Sequence, residues 1–208
     1  MIITPTTQNA WRRRSVGVAL LLAAGACAHG GKGSANTPRV RIDTDQGPIT
    51  VEIYADKAPI TAANFLRYVN EKRYDGGDFY RVVTMQNQPT SPVKIEVIQG
   101  GLDADSSKRL PAIEHETNDK TGLKHLDGTI SMARGKPGSA SSEFFFCINA
   151  QPELDFGGKR NPDLQGFAAF GKVVQGMDIV RRIQQMPADA APPQRLKTVV
   201  RIRSMRVL

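Results

Sequence analysis

The sequence predicts a single, mostly β domain with two helices, and three observations point to it. Short β-prone runs separated by Gly- and Pro-rich loops occupy most of the chain, without internal repeats. Two segments instead carry apolar residues at helical spacing. Residues 39–208 are long enough for one domain with its own core. Many short strands with two helices favour a closed antiparallel barrel with the helices over its ends.

Residues 1–27 have the composition of a secretory signal peptide and are set aside from the fold. Arginines at 12–14 precede an apolar run at 16–26 that is too short for a permanent membrane span. The small residues before Cys27 are typical of a signal cleavage site, whereas Cys27 itself is a candidate for lipid attachment, and the sequence does not decide between the two. It also does not decide between Sec and twin-arginine export. Either route predicts a periplasmic or envelope protein that meets the membrane only through a lipid anchor at Cys27. Residues 28–38, rich in Gly and Ser, are predicted to be a flexible linker.

The first elements of the domain are predicted to be a hairpin and a helix. Residues 39–43 and 49–53 alternate apolar and polar side chains around a turn of sequence DQGP, as paired strands do. Pro59 stands near a helix start. Four apolar residues after it share one helical face: Ala62, Phe65, Leu66 and Val69.

The C-terminal part predicts a second helix and then a strand with one solvated face. Apolar residues at helical spacing predict the helix over residues 177–185, with Pro187 beyond its end. Basic and apolar side chains then alternate between residues 195 and 207. The net charge of +8 falls to +5 for residues 28–208, with 25 basic and 20 acidic side chains, because the leader holds three arginines and no acid. That balance favours solubility, and we expect no nucleic-acid binding.

Two β-prone runs, at 79–83 and 95–101, flank a turn-rich insert and are predicted to be neighbouring strands. The first carries Arg81 among apolar residues, and the second ends with Gln99 before two glycines. A third run, SEFFFCI, holds three consecutive phenylalanines; because side chains alternate along a strand, the middle ring, Phe145, can face a groove while its neighbours are buried. An arginine, a glutamine and an aromatic ring in one groove suit an extended peptide that contains proline, although an arginine on a strand often simply reaches solvent.

Together with other short motifs, these runs resemble the cyclophilin family of peptidyl-prolyl cis-trans isomerases. The motifs follow the family's order between residue 39 and the C-terminus: YDG at 74–76, FYRVV at 79–83, IEVIQGG at 95–101, GTISMA at 128–133, SEFFFCI at 142–148 and FGKV at 170–173. The resemblance implies a mostly β fold, a closed eight-stranded antiparallel β-barrel capped by two α-helices, over residues 39–208. It also implies isomerase activity toward proline-containing polypeptides without a cofactor or metal, and we expect a monomer.

The resemblance implies three catalytic residues, Arg81, Gln99 and Phe145. Arg81 would donate a hydrogen bond to the prolyl nitrogen, and Gln99 would hold the guanidinium or contact the substrate backbone. Phe145 would line an apolar pocket for the proline ring. The resemblance implies the following further substrate-binding residues, the first three around that pocket: Val97, Met132, Leu154, Tyr80, Ala133, Arg134, Glu143 and Phe167.

Three acidic residues depart from the family pattern. Glu143 stands where a Gln is usual, and would either pair with Arg81 and orient it or compete with substrate for its N–H groups. Glu96 falls near a position that is usually aromatic, and Glu153 replaces a tryptophan found in many relatives. Because that tryptophan contributes to cyclosporin binding in relatives that have it, we expect weak inhibition by the drug.

Two other positions near the predicted groove also differ from the family pattern. Arg134 replaces a common Asn and would give the groove a further donor for backbone carbonyls, and Phe167 replaces a common His. Residues 156–163 lengthen the loop that follows Leu154.

Other potential sites carry weaker signals. Neither the EHE run at 114–116 nor His125 with Asp127 matches a compact zinc pattern, and both are expected in solvated polar loops. Cys147, the only cysteine outside the leader, lies in an apolar run, which favours a buried thiol and gives no disulfide framework.

Two functions therefore remain. The first is an exported isomerase that speeds X–Pro rotation in folding envelope proteins. The second is a catalytically weak relative that binds proline-containing segments as a chaperone or adaptor, an alternative that Glu96, Glu143 and Glu153 keep open.

Overall fold

The computed structural model describes residues 37–208. The predicted signal peptide with Cys27, and the predicted linker as far as residue 36, lie outside the described residues. The strands are β1 (Arg39–Thr44), β2 (Gly47–Ile53), β3 (Asp78–Val83), β4 (Val97–Gly101), β5 (Thr129–Met132), β6 (Phe144–Cys147), β7 (Ala168–Gln175) and β8 (Arg195–Val207). They pair antiparallel into a closed barrel in the order β1-β2-β7-β5-β6-β4-β3-β8, which confirms the predicted architecture.

The barrel interior is filled by the inward-facing side chains of the strands, because successive residues of a strand point to opposite faces. Phe144 and Phe146 of β6 are fully buried there. Phe144 meets Phe65 and Phe79 edge to face, with ring centroids 5.6 and 5.7 Å apart. Each buried ring stabilises the fold by roughly 1.5–3 kcal/mol through the apolar area it removes from water. The two outer rings of the phenylalanine run thus lie in the core, as predicted from alternation.

Helix α1 (Pro59–Asn70) covers one end of the barrel and begins, as predicted, at a proline. The Glu116 carboxylate accepts hydrogen bonds from the backbone N–H groups of Ile60 and Thr61 at 3.1 and 2.6 Å. It therefore satisfies two donors that the first turn of a helix leaves unpaired. The expectation of a solvated loop at residues 114–116 is wrong for Glu116, whose carboxylate is tied to the helix start.

Helix α3 (Met177–Gln184) forms where the apolar spacing predicted it and ends one residue earlier than expected. A third helix, α2 (Asn118–Thr121), was not predicted; it is a single turn that ends at Gly122 in the left-handed conformation, with φ at 71°. So short a helix has too few residues to show a periodic apolar pattern. Within residues 37–208, no helix has the length and apolar character needed to cross a membrane.

The basic residues of β8 lie on its solvated face, and four of them pair with aspartates. Arg203 contacts Asp45 at 2.7 Å, and Arg206 contacts Asp43 at 2.8 Å. Lys197 pairs with Asp189, and Arg195 pairs with Asp103. The alternation seen in the sequence therefore reflects a strand with one buried and one charged face.

Candidate active site

The three residues expected to be catalytic lie in one row across the outside of the barrel. Arg81 on β3 is the cross-strand partner of Gln99 on β4, and Gln99 is the partner of Phe145 on β6. Phe145 in turn faces Ser131 on β5. Directly opposed residues on antiparallel strands have their side chains about 4.5–5.5 Å apart at Cβ, so this register brings the arginine, the glutamine and the ring together.

A β-bulge in β3 sets the direction of Arg81. The pairing register of β3 shifts between Phe79 and Arg81 against both of its neighbours, β4 and β8. Phe79 and Val82 belong to the interior core, while Tyr80 and Arg81 between them both face outward. A bulge places two successive side chains on one face and often re-aims a functional residue. The strict alternation assumed from sequence does not hold at this point.

The Arg81 guanidinium is held by three groups from two segments. NH1 donates to Gln99 Oε1 at 2.9 Å, NH2 donates to Gln194 Oε1 at 2.7 Å, and Nε donates to the Pro193 carbonyl at 3.0 Å. Gln194, which no motif marked, is buried just before β8 and donates through Nε2 to the Asn87 carbonyl. Burial lowers the pKa of Arg81, and the nearby Arg160 charge lowers it further. Because an arginine starts above 12, the side chain remains a cation at neutral pH.

Glu143 is linked to Arg81 through Tyr80 and Gln99 and does not contact it directly. Gln99 Nε2 donates to the Tyr80 hydroxyl at 2.6 Å, and that hydroxyl donates to Glu143 Oε2 at 2.8 Å. Glu143 Oε1 accepts from the backbone N–H of Leu102 at 3.0 Å. Burial raises the pKa of Tyr80, and the Glu143 charge raises it further, so the phenol stays protonated and remains a donor. Both expectations for Glu143 are therefore corrected, because the carboxylate neither pairs with Arg81 nor takes up its N–H groups.

A cavity of about 300 Å³, lined by both polar and apolar side chains, lies beside Arg81 and Gln99. The following residues line the rest of it: Ile95, Val97, Ala133, Arg134, Phe145, Leu154, Arg160, Asn161 and Phe167. Phe167 meets Phe145 edge to face, with centroids 5.3 Å apart and ring planes at 86°. A second cavity of about 220 Å³ shares Gln99, Ala133 and Arg134 with the first, so the two form a continuous groove. A larger cavity of about 540 Å³ lies beside α3, and the described residues that line it include neither a cation nor an aromatic ring.

Met132 does not line this cavity, contrary to expectation. Its side chain is fully buried in the barrel interior, within the main core. Ala133, the next residue along the chain, lies in the cavity wall. Neighbouring residues in an extended chain point to opposite faces, so Met132 and Ala133 cannot share the groove.

His125 is buried behind Phe145 and does not lie in a solvated loop as expected. Its Nδ1 is 2.8 Å from Asp155 Oδ1, and its Nε2 is 2.9 Å from Ser131 Oγ. The imidazole stacks on the Phe145 ring, with centroids 6.0 Å apart and planes at 14°. Asp155, His125 and Ser131 are hydrogen-bonded in the same order as a catalytic triad. Ser131 is fully buried, however, so its hydroxyl cannot act as a nucleophile toward a bound substrate. The hydrogen-bonded imidazole instead supports the aromatic wall of the pocket.

Arg134 has no N–H group left for a substrate carbonyl. Its five N–H groups donate to Gly166 O from Nε and NH2, to Gly135 O from NH1, and to both carboxylate oxygens of Asp163. The guanidinium also lies over the Phe167 ring, 5.2 Å from its centroid. Arg134 therefore ties the lengthened loop at residues 156–163 to the groove, and the expected role as substrate donor is wrong.

The other two acidic departures lie outside the groove. Glu96 accepts from Asn149 Nδ2 at 3.0 Å and lines the cavity beside α3. Glu153 Oε2 accepts from the backbone N–H of Lys159 at 2.8 Å, which turns its carboxylate into the lengthened loop. Among the described residues, none with an acidic side chain lines the pocket beside Arg81.

Arg160 and Asn161 line the pocket but were not predicted, and neither was Ile95. Arg160 belongs to the loop at residues 156–163, and Ile95 directly follows the insert at 84–94. Neither insert carries a family motif or a periodic pattern, so the sequence offered no signal for their contact. Cys147, in contrast, is fully buried as expected, and burial raises the pKa of its thiol.

Comparisons with known proteins agree with this geometry. Residues 39–207 match the family model described as cyclophilin type peptidyl-prolyl cis-trans isomerase/CLD. A peptidyl-prolyl cis-trans isomerase of Acinetobacter baylyi is 34% identical over 179 residues, which cover 82% of this chain and 88% of that protein. Peptidyl-prolyl cis-trans isomerase B of Escherichia coli is 35% identical over 149 residues, covering 70% of this chain and 83% of that protein.

Solved structures agree on the fold. A crystal structure of a cyclophilin-type peptidyl-prolyl cis-trans isomerase from Cryptosporidium parvum superposes with a TM-score of 0.65 at 21% identity, covering 83% of this chain and 98% of that one. A second structure of that protein, in the presence of the dipeptide Ala-Pro, gives a TM-score of 0.64 at 21% identity, covering 82% of this chain and 98% of that one. At this identity the likeness concerns the barrel alone. The match over residues 39–207 and the two bacterial relatives decide the family: the chain belongs to the cyclophilin-type peptidyl-prolyl cis-trans isomerases.

Proposed function

We propose that this protein speeds the rotation of X–Pro bonds in folding polypeptides, with Arg81 donating a hydrogen bond to the prolyl nitrogen. The observation that carries the proposal is the position of the guanidinium. It is fixed by Gln99, Gln194 and Pro193 and lines a cavity together with the Phe145 ring. NH1 and NH2 each have a second N–H group beyond these bonds.

This arrangement suits a reaction in which no bond forms or breaks. Rotation about X–Pro faces a barrier of about 18–20 kcal/mol because amide resonance is lost. As the bond twists, the prolyl nitrogen gains a lone pair that accepts a hydrogen bond. A donor aimed at this nitrogen stabilises the twisted state more than either planar state, which lowers the barrier. A ~10⁵-fold acceleration requires about 7 kcal/mol of such differential stabilisation.

The chain's own contacts prepare the donor before substrate arrives. The Arg81 hydrogen bonds to Gln99 and Gln194 hold the guanidinium plane, and Tyr80 holds Gln99. A preorganised donor has little orientational freedom left to lose at the transition state, which is the main advantage of such a site over water. The Phe145 ring and its apolar neighbours bind the proline ring, and the continuous groove beside them suits an extended chain.

The binding-module alternative depended on acidic residues in the groove. Glu96 and Glu153 lie outside the pocket, and Glu143 contacts Tyr80 rather than Arg81. Glu143 lines the second cavity of the groove, where its carboxylate accepts from the Tyr80 hydroxyl and the Leu102 N–H, and none of the three acids lies in the wall of the pocket beside Arg81. No feature of the described residues therefore favours binding without catalysis.

We also propose that the protein is exported and acts as a monomer on envelope clients. The composition of residues 1–27 supports export, and Cys27 supports a lipid anchor. Cell fractionation of the parent and of Cys27→Ala tests both points. We expect the parent in the periplasmic or membrane fraction, and a cytoplasmic location would contradict export. If Cys27→Ala stays in the same fraction as the parent, the proposal of a lipid anchor is wrong.

A protease-coupled assay on a short X–Pro peptide tests the isomerase mechanism. We expect Arg81→Ala to lower kcat/KM by about 10²–10³-fold, the usual cost of removing one transition-state donor. Arg203→Ala is the matched control, because this side chain is two-thirds exposed on β8. Equal rates for the parent and Arg81→Ala would remove Arg81 from its role, and no rate above background in the parent would leave only a binding protein.

A further inference from the structure

The Arg160 guanidinium is fixed in the pocket wall by one of its edges. NH1 points at three oxygens of the other insert, Gln88 Oε1 at 3.1 Å, Ser91 Oγ at 3.0 Å and Val93 O at 2.7 Å. In the part of the chain that the structure describes, no residue accepts a hydrogen bond from its Nε or NH2. One edge of the planar fork is thus anchored, and the other, with Nε and NH2, remains available.

The pocket also holds a positive charge that the surrounding protein does not neutralise. Arg81 and Arg160 both line it, and neither forms an ion pair with a carboxylate among residues 37–208. The third arginine of the wall, Arg134, is neutralised by Asp163 at 2.8 Å. Burial lowers the pKa of Arg160, yet it remains a cation for the same reason as Arg81. A partly buried cation without a partner gains more from an arriving anion than a solvated one does.

We propose that the pocket selects prolines flanked by an acidic residue, whose carboxylate pairs with the Nε and NH2 groups of Arg160. This specificity rests on the isomerase function proposed above. Arg81 keeps one N–H group on NH1 and one on NH2, which the proposed function assigns to the prolyl nitrogen, whereas Arg160 has a whole edge of its fork available. A carboxylate matches that edge with two parallel hydrogen bonds, a geometry that lysine cannot reproduce. The carboxylate belongs either to the residue before the proline or to the residue after it.

Matched peptides distinguish these sources. Four peptides blocked at both ends are compared: Ala-Asp-Pro-Ala with Ala-Asn-Pro-Ala, and Ala-Ala-Pro-Asp with Ala-Ala-Pro-Asn. Exchange NMR measures cis-trans rates without a coupling protease, and each kcat/KM is divided by the uncatalysed rate of its own peptide. We expect the parent to favour one acidic peptide over its amide partner by about five-fold at low salt, as for a charge-assisted pair in a partly screened site. The pair that responds identifies the side of the proline that Arg160 contacts.

Variants then assign the preference to Arg160. Arg160→Gln should bring the acid-to-amide ratio close to one, and Arg160→Lys should keep part of it. Arg39→Gln is the control for overall charge, because Arg39 is exposed on β1, away from the four strands of the site. It should leave the ratio as in the parent. Each acid-to-amide ratio compares two peptides on the same variant. A general loss of activity or of folded protein lowers both rates equally and therefore leaves the ratio unchanged.

The outcomes separate the two proposals. If the parent accelerates all four peptides with ratios near one, or if Arg160→Gln keeps the parent's ratio, the specificity is wrong and the isomerase function stands. If the acidic peptides are slower than their amide partners, the specificity is likewise wrong. If the parent accelerates none of the peptides, the isomerase function fails, and the specificity fails with it.

Discussion

The Tyr80 hydroxyl donates a hydrogen bond to Glu143 Oε2 over 2.8 Å. The same hydroxyl accepts a bond from Gln99 Nε2, and Gln99 accepts one from Arg81. A relay of side chains therefore links Glu143 to the guanidinium without direct contact. Because each member has its partner fixed, the relay also sets which end of the Gln99 amide faces Arg81.

Removing the Tyr80 hydroxyl should impair catalysis more than binding. Tyr80→Phe removes the hydrogen-bond partner of Gln99 Nε2 and of Glu143 Oε2, at a cost of about 1–3 kcal/mol in a buried site. We expect kcat in the protease-coupled assay to fall roughly five- to ten-fold, with KM little changed. Glu143→Gln is the milder comparison, because its amide oxygen still accepts from Tyr80 while its NH2 group meets the Leu102 N–H, and kcat should fall less than for Tyr80→Phe. An unchanged kcat for Tyr80→Phe would show that the relay does not position Arg81.

Neighbouring phenylalanines in β6 should affect different properties, Phe144 the stability of the fold and Phe145 the binding of substrate. Phe144 is fully buried in the core, whereas Phe145 lines the groove. Phe144→Ala should destabilise the fold by about 3–5 kcal/mol, as for a large core cavity, and lower Tm strongly. Phe145→Ala should lower Tm less but raise KM about ten-fold or more, because the proline ring loses its aromatic wall. Thermal unfolding and kinetics on both variants check this; a larger Tm loss for Phe145→Ala would contradict the assignment of the two faces.

Strand alternation and family motifs were sufficient to predict the row of Arg81, Gln99 and Phe145, because cross-strand pairing in a barrel is set by register. The bulge at Tyr80 was not predictable, since it depends on pairing with two neighbouring strands at once. Met132 was assigned to the wrong face because alternation says that Met132 and Ala133 point apart without saying which of them points outward.

The least predictable part of the site is the contact between the two inserts. Arg160 reaches Gln88 and Ser91 across a sequence separation of about 70 residues. Gln194 anchors Arg81 from a loop with no motif of its own. Such contacts come from the three-dimensional approach of irregular segments, for which neither periodicity nor local propensity gives a signal.

The ion pair between Arg134 and Asp163 should hold the lengthened loop against the groove. Arg134 lowers the pKa of Asp163 from 3.8 to about 2 by hydrogen bonding to the ionised carboxylate. Since the folded-state pKa is the lower one, the stabilising contribution is complete above about pH 4 and is lost as the pH falls through about 2. A carboxyl-carbon NMR titration of Asp163 checks the midpoint, and a midpoint near 4 would show that the pair does not form.

Removing that carboxylate should loosen the loop that carries Arg160. We expect Asp163→Asn to raise KM for a neutral X–Pro peptide by about two- to three-fold, a change in the range of single ion pairs. Asp45→Asn breaks a more exposed ion pair outside the groove, with Arg203 at 2.7 Å on β8, and should not change KM. Equal KM values for the two variants would show that the loop stays in place without the pair.

Weak inhibition by cyclosporin follows from the position of Glu153. Its carboxylate accepts from the Lys159 N–H at 2.8 Å and is therefore directed into the loop at residues 156–163. The family resemblance leads us to expect a tryptophan at this position in relatives that bind the drug tightly. An aromatic anchor at an interface is worth about 1–3 kcal/mol, or about 30-fold in affinity at the midpoint of that range. We expect Glu153→Trp to lower the inhibition constant by that factor. Glu153→Ala, which removes the carboxylate without adding a ring, should not lower it. A parent enzyme already inhibited as tightly as Glu153→Trp would mean that other walls of the groove bind the drug, and that the missing ring is not what limits its affinity.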